Sequence, residues 1–208
     1  MRTPATPAAI ACEDVAGDPA FRHLSTVAGI AVDLRYATPR NFIGRDLYSP
    51  FDCAWLHRDA AAALERVVAW LAAARPGLTP LVLDALRPQR VQQQLWDALA
   101  GTGMQMYLAD PARGSIHSFG MALDITLVGA DGRELDMGTP FDDMTDLSHP
   151  PLEDGFLAAG RLSAAQVANR RLLRAAMAQA GFIGIATEWW HFDCGDRDRV
   201  RARFRRVL

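Results

Sequence analysis

Cysteine is scarce in this chain: Cys12, Cys53 and Cys194 are the three in 208 residues. An odd number without Cys-x-x-Cys spacing excludes a disulfide framework and a cysteine-ligated zinc ribbon. Free thiols fit a reducing compartment. An excess of either charge is also lacking, because 22 basic residues face 24 acidic ones for a formal net charge of -2. That balance gives no reason to expect nucleic acid or an anionic membrane surface as a partner. No apolar run approaches the ~18 residues of a membrane span. The start is interrupted by Pro4 and Pro7 and has too short an apolar run for a secretory signal. Residues 1–23 are therefore expected to form a loosely ordered N-terminal tail on a cytoplasmic protein, with a periplasmic location the lesser reading. There is no repeat, low-complexity tract or long linker. Residues 24–208 are expected to form one domain, since half of the residues are hydrophobic and the length can bury a substantial core.

The apolar pattern supplies the elements. Residues 27–36 alternate loosely and read as a strand. Residues 58–74 place Leu64, Val67, Val68 and Leu71 at helical spacing before Pro76 and Gly77, which predicts an amphipathic helix. Residues 80–84 read as a buried strand, and 88–100 as a second helix with Pro88 in its first turn. Residues 101–116 look like loop. Residues 121–128 read as a strand, followed by a turn at Asp131-Gly132. Residues 136–151 are irregular, and 163–180 form a helix capped by Ser163 and ended by Gly181. Residues 182–193 read as a last strand. The arginine-rich C-terminus resembles a nucleic-acid arm, but its alternation with Asp196, Asp198, Val200 and Phe204 fits a terminal amphipathic helix or strand better. Helices lie before and between strands without a regular βαβ rhythm, so the expected class is α+β, a mostly antiparallel sheet with flanking helices.

Histidine is also sparse, with His23, His57, His117, His149 and His191 in the whole chain. His117 sits among serines and Gly120, at a turn or strand entrance. Asp124 follows inside the apolar run MALDITL, where an unpaired carboxylate is costly. His191 sits in Glu188-Trp189-Trp190-His191-Phe192. Two imidazoles and a carboxylate could hold zinc and leave a position open. Glu188 would then be the general base. Spacing alone leaves blander readings open: a hydrogen-bonded core histidine, or a strand carboxylate that pairs with a cation. No His-Glu-x-x-His motif is present. In a regular strand Glu188 and His191 point to opposite faces, so they share a site only if the chain bulges or the strand ends there. Arg87, between a strand and a helix, could stabilise an oxyanion or simply pair with Asp84.

Taken together, these segments resemble the zinc D-Ala-D-Ala dipeptidases of the VanX type, within the wider zinc D,D-peptidases. The matching pieces are Ser115-x-His117-x-x-Gly120-x-Ala122-x-Asp124, Glu188-x-x-His191, the Arg87-Pro88 step, Asp33-Leu34-Arg35-Tyr36-Ala37-Thr38, Asp136-Met137-Gly138-Thr139 with Phe141-Asp142, and Asn169-Arg170-Arg171-Leu172-Leu173. They span residues 24 to 193. The resemblance implies the hedgehog-like zinc D,D-peptidase fold and one Zn²⁺ held by His117, Asp124 and His191. It implies Glu188 as base and Arg87 as the stabiliser of the tetrahedral intermediate. It also implies Asp142 as the group that holds the substrate's ammonium, with Ser115 and Tyr36 lining the pocket. His23, His57 and His149 are then structural or surface residues, and Trp189 and Trp190 core and pocket wall. The implied activity is hydrolysis of D-Ala-D-Ala or related short dipeptides, in cell-wall precursor turnover, salvage or glycopeptide resistance. A zinc D,D-carboxypeptidase or endopeptidase acting on peptidoglycan stem peptides is the first alternative, and a non-catalytic zinc-binding module the second. A homo-oligomeric state is compatible with the sequence.

Overall fold

The computed structural model describes residues 7–208, so Pro4 and the rest of the first six residues lie outside the described residues. Twelve regular elements follow in order: β1 Phe21–His23, β2 Ala31–Val32, β3 Trp55–His57, α1 Arg58–Ala74, β4 Thr79–Asp84, α2 Gln89–Ala98, β5 Ala122–Val128, α3 Glu153–Ala158, α4 Ala164–Gln179, β6 Phe182–Gly184, β7 His191–Cys194 and α5 Arg197–Arg203. The central sheet has the order β2-β4-β5-β7-β6, and β1 pairs with β3 separately. Only the short β2–β4 pairing is parallel; the other three pairings of the central sheet are antiparallel. The expected α+β class with a mostly antiparallel sheet is therefore what the chain forms.

β5 is buried along its whole length. Successive side chains on a strand point to opposite faces. Leu123, Ile125 and Leu127 accordingly join Leu64, Val67 and Leu71 of α1 and Leu173, Ala176 and Met177 of α4 in the main core. Asp124 falls on the other face, away from both helices. α1 begins where His57 Nδ1 accepts a hydrogen bond from the Asp59 amide at 3.2 Å. α4 begins with a reciprocal cap, in which Ser163 Oγ takes the Gln166 amide and Gln166 Oε1 takes the Ser163 amide. Both helices keep the bounds their periodicity predicts to within a residue.

Four expectations need correction. Residues 10–23 are folded rather than loose. Ile10, Cys12 and Val15 are buried in a second apolar cluster with Tyr36, Tyr48, Cys53 and Leu95. The Ile10 amide donates to the Arg206 carbonyl and the Leu208 amide to Ile10, both at 2.9 Å. These partners lie at the far end of the chain, where local composition cannot reveal them. The strand expected over 27–36 shrinks to two residues, because the chain turns at Arg35–Ala37 to bury Tyr36. Pro88 is the N-cap of α2 rather than a residue of its first turn. The single strand expected over 182–193 is two strands, β6 and β7, separated by residues 185–190. Among the described residues no helix is long and apolar enough to cross a membrane.

Candidate active site

Sheet register builds the centre of the site. Asp84 on β4 pairs with Asp124 on β5, and Asp124 pairs with His191 on β7, so the three form a row across adjacent strands. Directly opposed carboxylates repel. Arg87 resolves this: its Nε donates to Asp84 Oδ2 at 2.8 Å and its Nη2 to Asp124 Oδ2 at 3.0 Å. Its Nη1 donates to Gln92 Oε1 at 3.1 Å, and its guanidinium lies 4.9 Å from the centre of the Tyr36 ring. The pairing with Asp84 is present, and the same side chain borders the site.

His117 arrives from the helical turn Ile116–Phe119, which ends at Gly120 with φ +63°. Its Nδ1 lies 2.8 Å from the Ala85 carbonyl, which can only accept, so Nδ1 carries the proton and Nε2 a lone pair. His191 is fixed in the same manner, with Nε2 at 3.0 Å from Asp193 Oδ1. The inward atoms then form a closed triangle. His117 Nε2 is 3.1 Å from His191 Nδ1 and 3.3 Å from Asp124 Oδ1, and His191 Nδ1 is 3.0 Å from Asp124 Oδ1. Three acceptors facing one another repel unless a proton or a cation lies between them. Tetrahedral ligands at zinc distances stand about 3.3 Å apart, close to all three edges. Outer hydrogen bonds that fix imidazole tautomers are the usual second layer of a metal site. His117, Asp124 and His191 are also the one group among the described residues whose ligand atoms cluster closely enough to hold a metal ion.

Without an ion in the triangle, a proton on His191 takes that place. Burial works to raise the Asp124 carboxyl, but His117 and His191 overcome it and hold the group far below the usual carboxylate range. Burial works to lower His191, yet Asp193 and the bonds to Asp124 and Asp193 push it up to about 10.

The triangle opens onto a cleft of about 310 Å³ whose walls include Tyr36, Arg87, Ser115, Asp142, Glu188 and Trp190. All eight residues expected to work together therefore border one space. Glu188 lies in the 185–190 segment just before β7, so the strand-face conflict disappears. Burial raises its carboxyl to about 7 against the opposing pull of His191. Asp142 adopts φ 62°, and the Tyr36 hydroxyl donates to it at 3.0–3.1 Å. Burial, then repulsion from Asp124, pushes the Asp142 carboxyl well above its ordinary value.

The other histidines stand apart. His23 meets Asp52 at 2.9 Å, His57 caps α1, and His149 meets the Tyr107 hydroxyl at 3.2 Å. Trp189 is buried with its Nε1 donating to Thr139 Oγ1 at 2.8 Å. Sequence reasoning missed the supporting residues Asp193 and Gln92, and it gave Arg170 no role beyond its place in the matching segment. Fully buried Arg170 donates to the Met137 and Leu147 carbonyls at 2.6 and 2.9 Å, and so fixes the segment that carries Asp142. Asp193 had a signal, because a second carboxylate two residues after His191 in a strand lies on the same face.

Comparison with known proteins gives consistent matches. The peptidase M15 family model, described as D-ala-D-ala dipeptidase, matches residues 21–207. A D-alanyl-D-alanine dipeptidase of Escherichia coli (strain K12) is 39% identical over 164 residues, 79% of this chain and 78% of that protein. One of Enterococcus faecium is 32% identical over 196 residues, 86% of this chain and 92% of that protein. A solved LdcB LD-carboxypeptidase aligns with a TM-score of 0.45 at 12% identity, covering 88% of this chain and 71% of its own.

Proposed function

The chain belongs to the peptidase M15 family of D-ala-D-ala dipeptidases, and from that premise we propose that it hydrolyses D-alanyl-D-alanine and closely related short dipeptides as a zinc enzyme. The observation that carries the reading is the triangle of His117 Nε2, Asp124 Oδ1 and His191 Nδ1 in the same cleft as Glu188. Two imidazole nitrogens and a carboxylate oxygen are a zinc donor set, and these three residues would hold the ion. When bound, zinc polarises the scissile carbonyl and acidifies water.

The chain's own groups supply the rest. Glu188 takes the proton of the attacking water and returns it to the leaving amine. A carboxyl raised to about 7 suits both transfers at neutral pH. Asp142, oriented by the Tyr36 hydroxyl, receives the substrate's ammonium as a charge-assisted partner. Arg87 is held by Asp84, Gln92 and Asp124. It offers the oxyanion a fixed positive charge that needs no reorganisation as the intermediate forms. Ser115, buried in the cleft wall, and Tyr36 shape the pocket.

The test is hydrolysis of D-Ala-D-Ala, L-Ala-L-Ala and N-acetyl-D-Ala-D-Ala, before and after chelation and with zinc restored. Zinc-dependent cleavage of the free D,D-dipeptide alone is the expected result. Equal cleavage of the acetylated compound would instead assign a D,D-carboxypeptidase. No cleavage with stoichiometric zinc would leave a binding module.

A further inference from the structure

Two of the three cysteines meet away from the cleft walls. Cys12 opens the short helical turn Cys12–Gly17, and Cys53 lies just before β3. Both are buried in the second apolar cluster, at 5% and 2% exposure, and their thiols share a hydrogen bond. Arg90 of α2 borders the pair. Its Nη groups donate to the Leu47 and Tyr48 carbonyls at 3.4 and 3.1 Å, and its guanidinium lies 4.5 Å from the centre of the Phe51 ring. Its Nε is buried without a hydrogen-bond partner, a costly state for an N–H of a charged group. The same guanidinium reaches Cys12, so a thiolate there would give that N–H an acceptor. The bond from Cys53 and the charge of Arg90 lower Cys12 below an ordinary thiol, against the effect of burial. The shared bond and burial push Cys53 up. Cys12 is thus the thiol that ionises and Cys53 the one that keeps its proton, the asymmetry of an attacking and a resolving cysteine. Glu13 and Asp14, next in the turn, are exposed, so Cys12 lies one layer beneath the surface. Cys194 stands in contrast, since burial pushes its thiol up to about 11.

We propose that Cys12 and Cys53 form a redox modification site that a peroxide closes to a disulfide. The Cys12 thiolate attacks one oxygen of hydrogen peroxide. The O–O bond breaks, hydroxide leaves and takes up the proton that Cys12 released, and Cys12 becomes a sulfenic acid. The Cys53 sulfur then attacks the Cys12 sulfur as the S–O bond breaks, and the Cys53 proton leaves with that oxygen as water. The thiol pair is oxidised by two electrons and the peroxide is reduced to water. The bridge closes a loop of about 40 residues and fastens the N-terminal segment to the cluster that holds Tyr36 and Tyr48. This site is independent of the dipeptidase reading.

Reduced full-length wild type, C12S and C53S, with zinc present, would be treated with hydrogen peroxide, alkylated after denaturation without reductant, and digested with trypsin. Cleavage after arginine places the three cysteines in separate peptides, 3–22, 46–58 and 175–197. Mass spectrometry should recover 3–22 joined to 46–58, and release them on reduction, while 175–197 stays alkylated. The bridged protein should melt about 5–15 °C above the reduced one, the range for a bridge of this loop length in a chain of this size. Peroxide should leave a sulfenic acid on Cys12 of C53S that dimedone labels, and C12S should leave Cys53 unlabelled. Full alkylation of Cys12 and Cys53 in treated wild type, a link to Cys194, or equal dimedone labelling in the two variants would overturn the proposal. If a serine variant does not fold, wild type decides alone: the joined peptides support the site, and their absence refutes it.

Discussion

Asp142 joins a backbone conformation, a raised carboxyl and a proposed ligand-binding role in one side chain. Its φ of 62° is costly for most residues, but Asn and Asp tolerate it best. Its folded-state affinity for a proton exceeds that of the unfolded chain, because burial and Asp124 oppose ionisation. Between the two pKa values the folded protein holds more protons, so stability falls as pH rises above the ordinary aspartate range. Asp142→Asn removes that loss and keeps a partner for Tyr36. The variant should match wild type in chemical denaturation at pH 3–4, become the more stable protein at pH 7, and show a raised KM for free dipeptides. A variant less stable than wild type at neutral pH would contradict this account. Glu188→Gln tests the base. Turnover should fall about 10²- to 10⁴-fold while zinc content, measured by atomic absorption, stays stoichiometric. Much of this site was legible as residue types in context: a carboxylate inside MALDITL, and histidines between glycine, serine and tryptophan. Asp84 was legible too, as a possible partner three residues before Arg87, whereas Gln92, which also reaches Arg87, carries no pattern of its own.

At the scale of elements, periodicity was informative wherever a face was buried over several turns. α1 and α4 were readable because their apolar stripes are long. Residues 182–193 were not, because the large apolar side chains of Trp189, Trp190 and Phe192 hide a loop whose tryptophans are buried as deeply as a strand's. That break frees Glu188 from strand alternation. The short β7 and α5 meet at Asp193, which accepts from Arg197 and holds His191 Nε2. Asp193→Ala should weaken zinc affinity about 10- to 100-fold, the usual effect of losing an outer partner of a histidine ligand, as read by competition with a chromogenic chelator. The His117 turn makes a second demand. At Gly120 a Cβ would lie 2.6 Å from the His57 amide nitrogen, at φ +63°. Gly120→Ala should cost about 1–3 kcal/mol from conformation alone, with more from the clash. A lower urea midpoint with weaker zinc binding is the expected outcome, and an unchanged midpoint would remove the argument.

Across the whole molecule, the two ends of the chain brace the site from behind. Ile10 bonds to Arg206 and Leu208, the Val207 amide donates to the Ser118 carbonyl at 2.7 Å, and the Gln89 amide donates to Val207 at 2.9 Å. Ser118 is the neighbour of His117, and Gln89 opens the helix that follows Arg87. Arg205 also meets Asp18 at 2.6 Å. The N-terminal residues therefore hold the C-terminal ones, and these hold the turn carrying a candidate metal ligand. Deleting residues 1–18 removes the buried Ile10, Cys12 and Val15. It also leaves Val207 and the second apolar cluster open to water. Burial of a branched aliphatic side chain contributes about 1.5–3 kcal/mol, so Ile10 and Val15 together are worth several kcal/mol as an upper estimate. In a chain of this size that corresponds to a fall in Tm of about 10 °C. The truncated protein should also lose protection of the Val207 and Leu208 amides in hydrogen exchange and bind zinc more weakly than the full chain. Unchanged exchange at Val207, with Tm within about 2 °C of the full chain, would show that the His117 turn stands without this brace.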